Sequence, residues 1–330
     1  MKAALCVEPG RLEIVDRDPP PRPKTGEARI AISHVGICGT DYHIFEGKHP
    51  FLEYPRVMGH EISATVVEAG DGVDLGVGTK VIVNPYIACG TCIACRKDKP
   101  NCCTNIRVLG VHTDGAMCEE ITVPAINLYP ADDLSPEAAA TVEFLAIGAH
   151  AVRRGEVGPD DRVLVTGAGP IGLGAALFAK ARGATVYLRD AARERLDQMA
   201  GLGFDHLLLA SDTLPANLAD GFDVVFDATG NPKAMERGFK FVAHGGTYTL
   251  ISVVASNITF SDPEFHKREM TLMGSRNATT EDFQTVLEAM RAGLIPTALN
   301  THRMPLADVP EKFKDLLNPA AGVIKAIVEC

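Results

Sequence analysis

One run of residues, from 162 to 190, constrains the fold more than any other part of the chain. The stretch "VLVTGAGPIG" places Gly167, Gly169 and Gly172 in G-x-G-x-x-G register, directly after a strand pattern and at the start of a helix pattern. In this context the first glycine makes a tight turn, the second lets the backbone approach a pyrophosphate, and the third packs the helix on the strand. The run therefore predicts a parallel sheet that binds a dinucleotide.

The next predicted strand, "TVYLRD", ends at Asp190, close to the ~20-residue offset at which such sheets carry an acidic residue. A carboxylate there accepts hydrogen bonds from the ribose hydroxyls and repels a 2′-phosphate, so we expect NAD rather than NADP. Arg189 and Arg193 flank this position and could bind that phosphate, which keeps NADP open. An ordinary glycine-rich turn with a surface aspartate is the alternative, and the order of strand, motif, helix and acid disfavours it.

Strand and helix patterns alternate from about residue 148 onward. Strands are predicted at "DRVLVTGAG", "ATVYLRD", "FDVVFDATG", "GTYTLIS" and "EMTLMGS", and helices at "PIGLGAALFAKARG", "AARERLDQMAGLG" and "AMERGFKFVAHGG". Before about residue 130 the runs are β-rich and bounded by turn residues, and the tail adds a helix, "TEDFQTVLEAMRAG", and an apolar strand, "VIKAIVE". We predict an α/β protein in which a doubly wound domain at 148–277 interrupts a β-rich domain at 1–147 and 278–330.

Charge and hydropathy disfavour several classes of partner. The net charge of −10 disfavours nucleic acid and anionic membranes, since either needs a basic surface. No apolar run approaches the ~20 residues that cross a bilayer, and "MKAALCVEPGRLEIV" does not resemble a signal peptide. We therefore expect a reducing, cytoplasmic compartment, in which clustered thiols favour metal binding over disulfides.

The chain has nine cysteines, and "ACGTCIACRKDKPNCC" holds five of them. Cys89, Cys92, Cys95 and Cys103 have the spacing C-x2-C-x2-C-x7-C, and four thiolates can close a tetrahedral shell around zinc. A closed shell leaves no position for substrate, so this zinc would be structural, with Cys102 as the spare thiol. Free thiols on a loop are the alternative. A DNA-binding finger is disfavoured because no paired histidines and no basic helix follow.

A second set of metal-binding residue types lies upstream. "VGICGTDYHIFEG" carries Cys38, and "VMGHEISATVVEAG" carries His60 and Glu61. One thiolate, one imidazole and one carboxylate would give three protein ligands with a fourth position open, as a catalytic zinc needs. A lone histidine is usually structural, so this hypothesis depends on the neighbouring dinucleotide and four-cysteine motifs.

GICGTD, GHE, the four-cysteine loop and GAGPIG occur in this order. Together they resemble the zinc-dependent medium-chain dehydrogenases, and the resemblance covers essentially the whole chain. It implies a GroES-like catalytic domain, a Rossmann domain, and Cys38, His60 and Glu61 as ligands of the catalytic zinc. Glu143 matches the carboxylate of the "EP" motif of the polyol branch, although Phe144 replaces the proline. Whether Glu61, Glu143 or water completes the shell stays open.

The resemblance also implies the remaining roles. Zinc would act as a Lewis acid on a secondary alcohol that gives its hydride to the nicotinamide, and Thr40 and His43 match a proton relay to solvent. Asp227, Ala228 and Thr229 end a predicted strand and match the nicotinamide side of the site, although a plain strand terminus is the alternative for all three. The positions that match the cofactor site are Gly167, Gly169, Pro170, Ile171, Gly172, Asp190, Arg195, Ala228 and Thr229.

Two stretches, "VLGVHTDGAM" and "FSDPEFHKREMTLMGSRNATTEDF", resemble bacterial dehydrogenases that act at C5 of sugar acids such as L-galactonate and L-gulonate. Arg276 matches a substrate-facing arginine of the polyol branch and would supply a cation for a carboxylate. His112 and His266 are weaker candidates for substrate contacts, and each is as readily structural.

The alternatives are a neutral-polyol or threonine dehydrogenase with the same zinc and cofactor, and, in a different class, a non-catalytic NAD-binding redox sensor. A zinc-free quinone reductase is disfavoured by the zinc motifs. The resemblance implies a homodimer or homotetramer.

Overall fold

The computed structural model describes residues 1–48, 52–297 and 299–330. The chain forms two compact units, one made of Met1–Glu143 and Pro296–Cys330 and the other of Phe144–Ile295. Within the described residues, no helix combines the length and the apolar character needed to cross a membrane.

Strands make up most of the first unit and alternate with helices in the second. Among the described residues the strands are β1 (Lys2–Glu8), β2 (Arg11–Asp16), β3 (Glu27–Ile37), β4 (Arg56–Val57), β5 (Glu61–Ala69), β6 (Lys80–Val83), β7 (Tyr86–Ile87), β8 (Arg107–Val108), β9 (Glu120–Pro124), β10 (Leu128–Pro130), β11 (Arg162–Thr166), β12 (Thr185–Asp190), β13 (His206–Leu209), β14 (Phe222–Asp227), β15 (Val242–Leu250), β16 (Thr271–Gly274), β17 (His302–Pro305) and β18 (Ala326–Glu329). The helices are α1 (Gly39–Phe45), α2 (Pro136–Ala139), α3 (Val142–Arg154), α4 (Pro170–Ala181), α5 (Arg193–Gly201), α6 (Pro232–Gly238), α7 (Asp262–Lys267), α8 (Thr280–Arg291) and α9 (Val309–Lys312).

The first unit is built on a seven-stranded sheet in the order β10-β6-β5-β3-β18-β17, with β9 also paired to β3. Inward-facing residues alternate along β3, from Ala28 to Val35, and pack into the core of this unit. Strands β3 and β5 are antiparallel, and β18 lies antiparallel to β3 on its other side. This pairing brings the C-terminal end of β3 beside the N-terminal ends of β5 and β18, at one end of the three strands.

The second unit holds a six-stranded parallel sheet in the order β13-β12-β11-β14-β15-β16. This is the doubly wound order, with its reversal between β11 and β14, and it confirms the predicted fold class. Strand β13 was not predicted. The predicted helix "AMERGFKFVAHGG" is too long: α6 ends at Gly238, and Val242 already pairs with Phe222 of β14.

The observed units divide at residues 143/144 and 295/296, whereas the sequence predicted boundaries at 147/148 and 277/278. Helix α8, assigned above to the β-rich domain, lies in the second unit because a buried polar network ties it to α3. Asp282, 1% exposed, accepts hydrogen bonds from Arg153 Nε and Thr279 N at 2.8 Å each, and lies 2.8 Å from His150 Nδ1.

This network also sets the ionisation of the buried carboxyl. Burial acts to raise the pKa of Asp282, but the hydrogen bonds from His150, Arg153 and Thr279 outweigh it and lower that pKa below its ordinary value. The second unit therefore keeps a buried charge that is fully hydrogen-bonded, as buried charges must be.

Candidate functional site

Three side chains predicted to bind a metal converge in the first unit. Cys38 follows β3 and precedes α1, and His60 and Glu61 stand at the start of β5. One ligand atom from each lies within 4.8 Å of the other two. His60 is 5% exposed and Glu61 is fully buried. The antiparallel pairing of Gly36 with Glu61 explains this convergence of residues more than twenty positions apart.

Asp41 forms hydrogen bonds to both backbone segments that carry these side chains. Its Oδ2 accepts a hydrogen bond from Cys38 N at 2.9 Å, and its Oδ1 accepts one from Gly59 N at 3.2 Å. The carboxylate is fully buried on the first turn of α1. One side chain thus fixes the backbone before the thiol and the backbone before the imidazole.

Glu143 is a second buried carboxylate near the cluster, and it is 2% exposed. Its Oε1 accepts a hydrogen bond from the hydroxyl of Tyr86, while Oε2 has no hydrogen-bond partner among the described residues. Burial raises the pKa of Glu143 to about 7, an effect that nearby His60 opposes. The Tyr86 hydroxyl therefore occupies Oε1 of Glu143, and Oε2 can still accept a hydrogen bond or bind a cation.

Glu61 has a different partner. Lys325 Nζ lies 2.7 Å from Oε1 and 2.7 Å from Oε2 of Glu61, and it donates to Ile37 O at 3.2 Å. The side chains of Lys325 and Glu61 are 1% and 0% exposed, respectively. A Cβ at Gly36 would overlap the Glu61 carboxylate, so glycine is required there for this ion pair to fit.

The donor set fits a zinc ion. His60 Nδ1 and Glu143 Oε2 are buried without hydrogen-bond partners among the described residues, a state that a bound cation relieves. Burial acts to lower the pKa of His60, but the negative groups Asp41, Cys38 and Glu143 outweigh it and raise that pKa well above its ordinary value. A cluster of sulfur, nitrogen and oxygen donors with excess negative charge, buried except for the half-buried Cys38, is what a divalent metal with mixed ligands needs.

The other predicted catalytic and substrate residues lie on the surface or near it. Thr40 is half-buried, and its Oγ1 is 3.8 Å from Cys38 Sγ. His43 is exposed on α1. His112 is exposed, and its Nδ1 accepts a hydrogen bond from Val108 N at 3.2 Å, which gives it a role in a local turn. In the second unit, Arg276 is exposed just after β16.

The four cysteines of the loop lie close together in the structure. One sulfur from each of Cys89, Cys92, Cys95 and Cys103 lies within 4.8 Å of the other three, and Cys92 and Cys95 Sγ are 3.5 Å apart. Zn–S bonds of about 2.3 Å imply tetrahedral S···S distances of about 3.8 Å. Hydrogen bonds from the backbone of Cys95 and Thr104 lower the pKa of Cys92 to about 5, so this thiol readily becomes a thiolate. Cys102 is exposed and outside the cluster.

The glycine motif has the backbone geometry that its sequence predicts. Gly167 has φ 93°, and a Cβ there would crowd the carbonyl of Ala228. Gly169 caps the N-terminus of α4, whose first turn holds Pro170 and Ile171. A Cβ at Gly172 would overlap the carbonyl oxygen of Gly167, so the third glycine permits the close approach of helix and turn.

Asp190 ends β12 beside this turn. Its Oδ2 accepts a hydrogen bond from Ala168 N at 2.7 Å, and its Oδ1 accepts one from Ala192 N at 2.8 Å. Arg189, considered above for a 2′-phosphate, is engaged elsewhere: its Nη2 donates to the carbonyl of Ala210 at 2.7 Å, and its guanidinium lies over the ring of Phe241. Arg193 is exposed and Arg195 half-buried on α5.

Asp227 connects the two strand ends at the reversal of the sheet. It is fully buried and accepts hydrogen bonds from Thr229 N at 2.9 Å, Thr229 Oγ1 at 2.8 Å and Thr166 Oγ1 at 3.1 Å. Burial raises the pKa of this carboxyl, and the bonds from the two threonines oppose the rise. Because Thr166 precedes Gly167, one carboxylate joins the glycine turn to the 228–230 turn.

The sequence did not predict the roles of Asp41, Tyr86 and Lys325 in these sites, and it placed Asp227 at the crevice without predicting its hydrogen bonds to the two threonines. Asp41 lies inside the GICGTD motif, and Asp227 inside "DATG", so a search for buried acids in the motifs would have found both. Tyr86 and Lys325 carry no local signal, since each acts on a carboxylate distant in the chain.

Comparison with known proteins agrees with this geometry. Residues 24–133 match the sequence model of the alcohol dehydrogenase GroES-like domain, and residues 170–292 match that of the zinc-binding dehydrogenase. The chain is 45% identical over 327 residues to L-galactonate-5-dehydrogenase of Escherichia coli K12, covering 96% of each. It is 34% identical over 272 residues to L-threonine 3-dehydrogenase of Pyrococcus horikoshii, covering 78% of each. A crystal structure of an alcohol dehydrogenase from E. coli CFT073 complexed with NADH is 30% identical, with a TM-score of 0.93 and coverage of 100% and 99%.

Proposed function

The chain belongs to the zinc-dependent medium-chain alcohol dehydrogenase family, and from this premise we propose that it oxidises a secondary alcohol of a sugar acid, at C5 of an L-galactonate- or L-gulonate-like substrate, with NAD as the hydride acceptor. The relative named L-galactonate-5-dehydrogenase, which matches nearly the whole chain, is the observation that carries the substrate class. The cluster of half-buried Cys38 with the buried His60 and Glu61 supports the reaction type.

Two zinc ions per chain are proposed. The catalytic zinc would be held by Cys38, His60 and a carboxylate from Glu61 or Glu143, and the structural zinc by the four-cysteine loop. Zinc at the first site supplies Lewis acidity, which lowers the pKa of a substrate alcohol toward neutrality.

The chain's own residues would then move the proton and hold the cofactor. Thr40 Oγ1, beside the Cys38 thiol, would accept the hydroxyl proton, and the exposed imidazole of His43 would release it to solvent. Asp190 would bind the ribose hydroxyls and repel a 2′-phosphate. Arg189 donates from Nη2 to Ala210 O and lies over the ring of Phe241, so part of its guanidinium is already used, which supports NAD over NADP.

Arg276 is the proposed contact for the substrate carboxylate, since a guanidinium can bind a carboxylate with two parallel hydrogen bonds. His112 remains a weaker proposal, because its Nδ1 is already used by the turn at Val108. His266, on α7, is exposed, and it remains a weaker candidate for a substrate contact.

The test is to follow NADH absorbance with L-galactonate, L-gulonate, D-sorbitol, xylitol and L-threonine as substrates of the zinc-loaded protein. We expect a hexonate to give the highest kcat/KM. Arg276→Gln should raise KM for the hexonate and leave the weak turnover of sorbitol unchanged, while Arg291→Gln, another exposed arginine of the same unit, should alter neither.

The alternatives predict different results. Preference for sorbitol or threonine would retain the zinc chemistry and refute the sugar-acid assignment; the similarity to L-threonine 3-dehydrogenase makes threonine the rival to include. Binding of zinc and NADH without turnover of any alcohol would favour a redox sensor. A homodimer or homotetramer in the cytoplasm, without nucleic-acid partners, is proposed alongside, and sedimentation analysis of the holoprotein checks the oligomeric state.

A further inference from the structure

A third group of metal-binding side chains lies in the first unit and shares no residue with the two clusters described above. His34 on β3, Glu137 on α2 and Glu329 on β18 each place one ligand atom within 4.8 Å of the other two. Ligand atoms bound to one metal at about 2.0–2.2 Å lie about 3–4 Å apart, so small side-chain rotations bring these three onto one ion. His34 and Glu137 are half-buried, and Glu329 is exposed.

Secondary structure holds the three side chains in place. Glu329 is the cross-strand partner of His34 in the antiparallel pairing of β18 with β3. Glu137 stands in the first turn of α2, and Ser135 caps this helix by accepting a hydrogen bond from Ala138 N at 3.2 Å. The backbone therefore brings the group together, and its members are not three long side chains that meet by chance at a surface.

The imidazole of His34 is oriented by its neighbour in the chain. Its Nδ1 lies 2.8 Å from Ser33 Oγ. A hydrogen bond at one ring nitrogen orients a metal-binding histidine and leaves the second nitrogen for the metal. Ser33 also lines a cleft of about 110 Å³ together with Pro136, the residue before Glu137. A cleft of this size holds several water molecules, which can complete the shell of a metal with three protein ligands.

The group carries more negative charge than its cationic neighbour balances. Glu137 Oε2 lies 2.7 Å from Arg303 Nη2, whereas Glu329 forms no ion pair within the part of the chain that the structure describes. The Arg303 side chain is 57% exposed. An exposed ion pair of this kind contributes little to stability, so the guanidinium can give way to a divalent cation at Glu137.

A separate observation beside Glu137 also indicates a cation or a donor. Asn300 Nδ2 donates to Glu137 Oε2 at 3.5 Å, while Asn300 Oδ1 is buried and has no hydrogen-bond partner among the described residues. Buried polar atoms nearly always have a partner, whether protein, water or ion. Imidazole, carboxylate and amide oxygen, without a thiolate, are ligands that suit Mn²⁺ and Zn²⁺.

We propose that His34, Glu137 and Glu329 form a third metal site, which binds a divalent cation such as Mn²⁺ or Zn²⁺, with the Asn300 amide oxygen or water completing the shell. This site goes beyond the proposed function and takes no part in hydride transfer. Its ligands come from both segments of the first unit, Met1–Glu143 and Pro296–Cys330. The bound ion therefore joins two segments that the second unit separates in the chain.

The test adds manganese(II) to the full-length, zinc-loaded protein and follows the EPR signal of free manganese. Manganese is the probe because imidazole and carboxylate ligands bind it, whereas thiolate ligands favour zinc. We expect wild type to bind one manganese per chain. Glu329→Gln and His34→Gln should each weaken this binding roughly tenfold or more, and Glu311→Gln, which changes another exposed acid of the first unit, should leave it unchanged. Zinc content, measured on the same samples, should stay constant.

Arg303 provides a test in the opposite direction. Arg303→Gln removes the cation that competes for Glu137, so manganese should bind more tightly, by up to roughly fivefold. A general attraction of manganese to an acidic surface would instead make Glu311→Gln as harmful as Glu329→Gln, and that result would refute the site.

Thermal unfolding gives a second readout. Manganese at 100 times its Kd should multiply the folding equilibrium constant by about 100, which corresponds to a rise in Tm of roughly 5–10 °C. Glu329→Gln should abolish the rise. Wild type that binds no manganese, or Glu329→Gln that binds it as tightly as wild type, would overturn the proposal. Glu329 is exposed, so this variant decides the matter even if His34→Gln does not fold. Since neither readout involves turnover, the result is independent of the proposed function.

Discussion

Replacement of Asp227 with alanine should separate the two turns at the reversal of the parallel sheet. The carboxylate accepts three hydrogen bonds, two from Thr229 and one from Thr166, at 2.8–3.1 Å. Thr166 and Thr229 stand at the ends of neighbouring strands β11 and β14. Ligands of doubly wound sheets bind at this crevice, so loosening it should affect both stability and cofactor binding.

The size of the effect follows from the number of bonds. A hydrogen bond contributes about 1 kcal/mol net to stability, so the loss of three should cost about 3 kcal/mol. For a unit of this size, each kcal/mol lowers Tm by roughly 2–4 °C, which gives a fall of roughly 6–12 °C for Asp227→Ala. Asp227→Asn keeps an oxygen for Thr229 and should lose about 1 kcal/mol, or roughly 2–4 °C.

The assays are thermal unfolding and NADH titration by fluorescence. Asp227→Ala should weaken NADH binding about tenfold, equivalent to about 1.4 kcal/mol, with zinc content unchanged. Thr249→Val is the matched control: Thr249 is fully buried on the adjacent strand, and its hydroxyl has no hydrogen-bond partner among the described residues. If Asp227→Ala loses stability but keeps wild-type NADH affinity, Asp227 has a structural role only. If its Tm lies within 2 °C of wild type, the argument from three lost hydrogen bonds is refuted.

Three further predictions concern metal, cofactor and pH. Cys92→Ser should lose one zinc per chain and Cys102→Ser none, as measured by atomic emission, because only the former thiol lies in the four-sulfur cluster. Asp190→Ala should raise KM for NAD and lower KM for NADP, since it removes the charge that repels a 2′-phosphate; unchanged KM values would contradict that role. The pKa of Asp282 is lowered in the fold, so its contribution to stability is present above the unfolded value of about 3.9 and is lost as pH falls below it. The difference in Tm between wild type and Asp282→Asn should therefore shrink below about pH 4, and a constant difference would show that Asp282 does not titrate as described.

The sequence predicted those parts of the molecule whose signals are local. The glycine motif specifies a turn through three nearby residues, and Gly167 and Gly172 make the close approaches that the motif implies. The spacing of the four cysteines likewise predicted which sulfurs converge, including Cys103 rather than Cys102. In both cases the interacting atoms come from one short segment, so chain connectivity itself brings them together.

The partners that the sequence did not predict are separated by long stretches of chain. Lys325 is 264 residues from Glu61, and it lies in "VIKAIVE", which reads as an ordinary apolar strand. Tyr86 is 57 residues from Glu143. Only the order of strands in the sheet makes such pairs neighbours, and periodicity does not encode that order. The sequence likewise did not predict that α8 belongs to the second unit, because that assignment depends on the buried contacts of Asp282 with α3.

The insertion of β18 beside β3 has a consequence for how the protein is made. Strands β3 and β5 can pair early in synthesis, when Cys38, His60 and Glu61 have left the ribosome, but the ammonium that neutralises Glu61 is translated 264 residues later. Until then Glu61 lacks the cation that neutralises it, so the strands around it can gain their full stability only after the second unit has been translated between them. The first unit is therefore begun before the second and completed after it, and the cluster of Cys38, His60 and Glu61 can acquire its final charge balance only at that last step.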